Sequence, residues 1–192
     1  MKTVLNIMGA HCSGKTTAVR EYMSHYDNRV ETIDAYGWKS PITVLSNNVV
    51  VLGRYDQAAC GGCDRYKGYD QVRKTIYAVM EKYAPEAIIY EGIIYSTTYR
   101  GASITAEMSK KKGYTWKCLF LWRDIPSSLE LPEQRNNGKP MSLEMVFSKF
   151  DMVERAYRLR SQVYETKRVD VTQKTVVELG ELINEAINVG FV

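Results

Sequence analysis

Residues 3–25 read TVLNIMGAHCSGKTTAVREYMSH: an apolar run, a loop bounded by glycines, then a helix-length segment. Within them Gly9, Gly14, Lys15 and Thr16 fall in the order G-x-x-x-x-G-K-T. No other part of the chain restricts the fold as much. A buried strand must deliver the chain to a tight turn whose backbone N–H groups converge, and a helix must start there. The helix N-terminus adds partial positive charge at the same point. Gly9, Ala10, His11, Cys12, Ser13, Gly14, Lys15, Thr16 and Thr17 thus form a cradle for phosphate oxygens. Lys15 is placed to reach β- and γ-phosphates, and the Thr16 hydroxyl to ligate Mg²⁺. ATP and Mg²⁺ are the expected cofactors.

The rest of the chain alternates in the same way. Apolar strand-like runs occupy 3–8, 29–34, 48–53, 86–92, 116–122 and 167–172. Helix-length segments follow at 15–25, 71–83, 101–112, 142–160 and 174–187. In the fourth of these, Leu143, Val146, Phe147, Phe150, Val153 and Tyr157 stand at core spacing, with Ser142 as its N-cap. Alternation of this kind implies right-handed crossovers. The expected fold is α/β: a three-layer phosphate-loop NTPase domain, with a central parallel sheet and helices on both faces. A chain of 192 residues accommodates one such domain over 1–192.

Composition narrows the setting. With 45% hydrophobic and 25% charged residues the chain reads as an ordinary globular protein. No apolar run approaches the roughly 20 residues that span a bilayer, and the N-terminus has no signal-peptide layout. A cytoplasmic protein without a membrane partner is expected. Cys60 and Cys63 form a lone C-x-x-C, and a zinc site would want a second pair or spaced histidines. A Gly-Gly turn flanked by ordinary thiols is the better reading. The net charge of +4 admits a nucleic-acid partner. Lys110, Lys111, Lys112, Arg155, Arg158, Arg160, Lys167 and Arg168 gather late in the chain, and an ordinary solvated surface explains them equally well.

A phosphate loop serves kinases, GTPase switches and motor ATPases. The segment ETKRVD sets Asp170 one residue too far from Lys167 for the usual guanine-reading pattern, and the chain is short for a motor. A kinase fits best. Phosphoryl transfer then asks for a carboxylate near the attacking hydroxyl, a second one near Mg²⁺, and arginines for the transferring charge. Asp34 and Glu91 each end an apolar strand, where open parallel sheets bind ligands. The loop 53–70, VLGRYDQAACGGCDRYKGYD with its two preceding residues, is rich in Gly, Tyr and charge and suits acceptor recognition. Arg54, Tyr55, Asp56, Arg65 and Tyr69 are its candidate contacts, with Tyr66 a further stacking candidate.

With these residues the sequence resembles the P-loop kinases related to nucleotide, gluconate/shikimate and polynucleotide kinases. The resemblance implies that Asp34 meets the substrate hydroxyl and that Glu91 holds the metal, although Asp is commoner at that place. It also implies a lid over 123–140, from which Arg123 or, better, Arg135 reaches the phosphates. The wording VLGRYD…GGCD is similar to phage kinases that phosphorylate 5-hydroxymethyluracil within DNA. That likeness implies transfer of the γ-phosphate to the base hydroxyl during thymidine hypermodification, with DNA containing a modified pyrimidine as partner, in the host cytoplasm. A nucleoside or nucleoside monophosphate kinase shares every catalytic residue named but has no need of the late basic residues, and a polynucleotide 5′-hydroxyl kinase is a third reading. An ATP-binding switch without catalysis is the alternative outside enzymes.

Overall fold

The strand that leads into the phosphate loop, β1 (Lys2–Met8), is buried from Thr3 onward, and the whole sheet is arranged around it. A computed structural model describes residues 1–56, 61–92, 95, 97–124, 142–189 and 191. In chain order the elements are β1, α1 (Lys15–Ser24), β2 (Asn28–Asp34), β3 (Lys39–Leu45) and β4 (Val49–Leu52), followed by a single 3₁₀ turn (Gly62–Arg65). Then come α2 (Tyr69–Tyr83), β5 (Ala87–Glu91), α3 (Tyr99–Lys111), β6 (Tyr114–Trp122), α4 (Leu143–Ser161), β7 (Glu165–Asp170) and α5 (Val176–Asn188).

Among the described residues, seven strands form one sheet in the order β2-β3-β4-β5-β1-β6-β7. From β4 to β7 every pairing is parallel. Val4 and Met8 face a core completed by Val72 and Ile76 of α2, Ala102 of α3 and Val153 of α4. Leu5 and Ile7 face the opposite core, completed by Val19 and Tyr22 of α1 and Leu179 and Ile183 of α5. Helices therefore cover both faces. The near-continuous apolar run of β1 follows from burial on both sides.

The two outer strands depart from the all-parallel expectation. β2 and β3 form an antiparallel hairpin, and β3 is antiparallel to β4. Sequence reasoning assigns no strand to 39–45. The hairpin loop is Tyr36–Gly37, both with positive φ (55° and 87°), closed by Ala35 N–H to the Trp38 carbonyl at 2.8 Å. Such a loop favours Asn-Gly or Asp-Gly. With Tyr at its first position and Pro41 inside β3, the usual hairpin signal is absent.

Ser142 does cap α4, accepting from the Met145 N–H at 3.2 Å. Leu143 and Phe147, expected in the core, are instead exposed. Phe150 already lies against Trp122, the last residue of β6, so the first turns of α4 extend past the sheet. At the far end Thr175 and Glu178 form a capping box on α5. None of the described helices is long and apolar enough to cross a membrane.

Candidate active site

The loop between β1 and α1 is shaped by close contacts. A Cβ on Gly9, at φ 156°, would lie 2.3 Å from Ser13 Oγ and 2.5 Å from the Leu121 carbonyl oxygen. Cys12 and Gly14 also have positive φ, 61° and 84°. α1 starts at Gly14 with no side-chain cap and no acidic residue in its first turn. Its dipole and the loop's N–H groups thus favour an anion. Lys15 is buried, and its Nζ donates to the carbonyls of Gly9 at 2.9 Å and Ala10 at 2.8 Å. The ammonium spans the loop it serves.

β5 lies beside β1, with Glu91 in register with Ile7. That pairing carries Glu91 to the loop. The carboxylate is 1% exposed, and its Oε1 accepts from the Thr16 hydroxyl at 2.9 Å. A hydroxyl and a carboxylate at this separation supply the hard oxygen ligands that Mg²⁺ takes. Asp34, by contrast, is not brought to the loop. Asn6 pairs with Tyr90, Ile89 with Val51, Leu52 with Ile42, and Ile42 with Glu31. Asp34 therefore lies level with the start of the phosphate loop but four strands to the side, roughly 19 Å at ordinary strand spacing. Exposed there, its Oδ1 accepts from the Gly37 N–H at 3.0 Å and holds the hairpin turn.

The loop after β4 returns to the site through the 3₁₀ turn. A Cβ on Gly53 would lie 2.3 Å from the Gly62 carbonyl oxygen. One on Gly62, at φ 68°, would lie 2.8 Å from both the main-chain oxygen and Oε1 of Glu91. Cys63 is fully buried in this packing, and burial pushes its thiol well above the usual range. Its neighbour Asp64 is exposed, with Oδ1 3.1 Å from the position of a Cβ on Gly92. Sequence reasoning passed over Asp64, since nothing local separates it from the other acids of the loop. Cys60 lies outside the described residues.

The tyrosines of this loop pack inward. Tyr55 and Tyr66 are 6% and 7% exposed, which leaves neither ring a face for a base. The Tyr66 hydroxyl donates to the Pro41 carbonyl at 2.6 Å. Half-buried Tyr69 bonds to the Gly101 carbonyl and to Thr105, tying α2 to α3. Arg54 makes a two-pronged pair with Asp56, at 2.7 and 3.2 Å, on the exposed edge. Arg65 is exposed beside Asp64 in sequence. Arg123 Nη2 contacts the Val171 carbonyl at 3.4 Å. Arg135 and nearly all of the expected lid lie outside the described residues.

The late basic residues do not form one patch. Arg168 pairs with Glu154 and Lys167 with Glu185. Arg160 is completely buried. Its Nη1 donates to Asn6 Oδ1 at 2.9 Å, and its Nη2 to the Tyr95 carbonyl at 3.2 Å. One signal was available: Arg160 stands seven residues beyond Val153, on the buried side of the helix.

A family model described as "5-hmdU DNA kinase" matches residues 2–184. The chain belongs to the 5-hmdU DNA kinase family. The phosphate loop, Glu91, the 3₁₀ turn and Arg160 all lie within the matched residues. Two members of that description are similar in sequence. A "5-hmdU DNA kinase 1" of Salmonella phage ViI is 25% identical over 151 residues, 77% of this chain and 66% of that one. A "5-hmdU DNA kinase" of Pseudomonas phage PaMx11 is 30% identical over 99 residues, 48% and 50% respectively. The matches thus span less than two thirds of each relative's length. Among solved structures, deoxyadenosine kinase from M. mycoides with bound dCTP is similar with a TM-score of 0.48 and 12% identity, over 97% of this chain and 99% of that one.

Proposed function

We propose that this protein transfers the γ-phosphate of ATP to the hydroxymethyl oxygen of 5-hydroxymethyluracil in DNA. The observation that carries the reading is the Thr16–Glu91 contact beside the Lys15 loop, all within residues matched to the kinase family. Lys15, the loop N–H groups and the α1 dipole would hold the triphosphate. Thr16 and Glu91 would hold Mg²⁺, which when bound neutralises charge on the β- and γ-oxygens.

The chain's own contribution is positional. Gly9 leaves no room for a side chain between the loop and Leu121, so the backbone meets phosphate directly. Burial of Glu91 shields it from water, so a cation held there would feel it more strongly than at the surface. Exposed Arg54 and Arg65 at the same edge are the candidates for DNA phosphate contacts. A base in a duplex must leave the stack to reach such a site.

The test is a transfer assay with γ-labelled ATP and Mg²⁺. It compares DNA containing 5-hydroxymethyluracil, matched thymine DNA with free 5′-hydroxyls, and free nucleosides and monophosphates. Label recovered on the modified base alone is the expected result. Label confined to 5′ ends or to free nucleotides would move the protein to another acceptor class, and nucleotide binding with no label would leave a switch.

A further inference from the structure

A kinase acting on a hydroxyl needs a group to take the hydroxyl proton, and the acid expected from sequence, Asp34, lies four strands from the loop. Among the described residues, three other carboxylates of the carboxyl edge are engaged. Glu91 accepts from Thr16 and is buried. Asp56 is held by both prongs of Arg54. Asp70 pairs with Arg73 at 2.5 Å and with Lys74 at 3.1 Å.

We propose that Asp64 is the general base for the acceptor hydroxyl. Its placement rests on the packing of glycine against backbone. The 3₁₀ turn lies on Glu91 closely enough that Gly62 has no room for a Cβ, and Gly53 closes against Gly62 from the other side. Cys63 anchors the turn in the core. The Tyr66 N–H returns to the Cys63 carbonyl at 2.9 Å, and the Tyr95 hydroxyl to the Tyr66 carbonyl at 3.1 Å. A rigid turn therefore holds one exposed carboxylate next to Gly92, one residue past Glu91. Supports of this kind, locked by packing, are what a positioned proton acceptor requires.

The assignment rests on the reading of the protein as a kinase with a hydroxyl acceptor. In the step, the acceptor O–H bond breaks and its proton passes to an Asp64 oxygen. The freed electron pair forms the new O–P bond to the γ-phosphorus. The bond from that phosphorus to the bridging oxygen breaks, and its electron pair leaves with ADP. Exposure of Asp64 lets the proton pass on to solvent.

The experiment measures single-turnover transfer and ATP affinity for wild type, Asp64→Asn, Asp64→Ala, Asp64→Glu and Asp34→Asn. The expected result is a rate loss of about 10²–10⁴-fold in Asp64→Asn and Asp64→Ala, the usual range for general-base removal. ATP affinity should stay unchanged, the acid limb of the pH–rate profile should flatten, and Asp64→Glu should recover part of the rate. Asp34→Asn should stay within about threefold of wild type, under 1 kcal/mol on the barrier. Asp64→Asn at the wild-type rate would overturn the assignment, as would a loss confined to ATP affinity. Failure of both Asn and Ala variants to fold would also overturn it, because an exposed base carries no fold. The wild-type control separates the two readings. If wild type labels another hydroxyl, the choice of DNA base fails and Asp64 is judged on that acceptor; if it labels none, both fail.

Discussion

The Thr16 hydroxyl donates to Glu91 Oε1 over 2.9 Å, linking the first turn of the helix after the phosphate loop to the end of the neighbouring strand. Two segments 75 residues apart in sequence meet in one hydroxyl–carboxylate pair. Glu91→Gln keeps an oxygen able to accept from Thr16 but removes the charge. The expected outcome is an unchanged fold with Mg²⁺ affinity down at least about tenfold. Calorimetric titration of ATP with and without Mg²⁺ checks this. Equal Mg²⁺ dependence in variant and wild type would separate Glu91 from the metal.

Gly62→Ala is expected to harm both fold and transfer. Its φ of 68° disfavours a side chain, and a Cβ would press on Glu91 at 2.8 Å. A cost of about 1–3 kcal/mol follows from the backbone alone. Gly113→Ala is the control: its φ is 78°, with nothing within 4 Å of the added carbon. Urea unfolding should record a loss in both, and the transfer assay a loss only in Gly62→Ala.

Arg160 ties α4 to β1 and to the segment after β5. Arg160→Met leaves Asn6 Oδ1 and the Tyr95 carbonyl without this donor in the buried interior. The expected destabilisation is about 2–6 kcal/mol, at about 1–3 for each of the two stranded acceptors. Arg160→Lys keeps the charge but not the fork, and should fall between. Denaturant midpoints at constant m-value measure this, and a Met variant as stable as wild type would refute it.

Alkaline conditions should unfold the protein steeply. Burial pushes the phenols of Tyr22 and Tyr69 from 10.0 up to about 12, and those of Tyr55, Tyr66 and Tyr90 well above 10.0. Above pH about 10 the unfolded chain has released these protons while the folded chain keeps them. Fewer protons on the unfolded state means that stability falls as pH rises. Below about pH 9 both states hold them, and this contribution is constant. Each lagging phenol adds about 1.4 kcal/mol per pH unit to the loss. Phenolate absorbance of the buried rings should therefore rise only with loss of the far-ultraviolet helix signal. Absorbance that rises while the helices persist would contradict it.

Much of this molecule is written locally. The phosphate loop is legible because its requirements, a strand before, a helix after and glycines between, all fall within about twenty neighbouring residues. Glu91 was legible because a carboxylate ending an apolar run marks the carboxyl edge of a parallel sheet. Asp34 satisfied the same rule and stands on the same edge, yet the lateral order of strands decides which acids meet the loop. That order depends on the β2–β3 hairpin, and a Tyr-Gly turn with positive φ at both residues conceals it.

The sequence by itself determined the three-layer α/β fold, the phosphate cradle and the acid beside it, because periodicity and backbone conformation are short-range properties. Tertiary structure alone decided that Tyr55 and Tyr66 pack inward, that Asp64 lies beside Gly92, and that Arg160 is buried against β1. Those placements come from close approach between segments far apart in the chain. Side-chain burial and glycine clearance exist only once the layers have met.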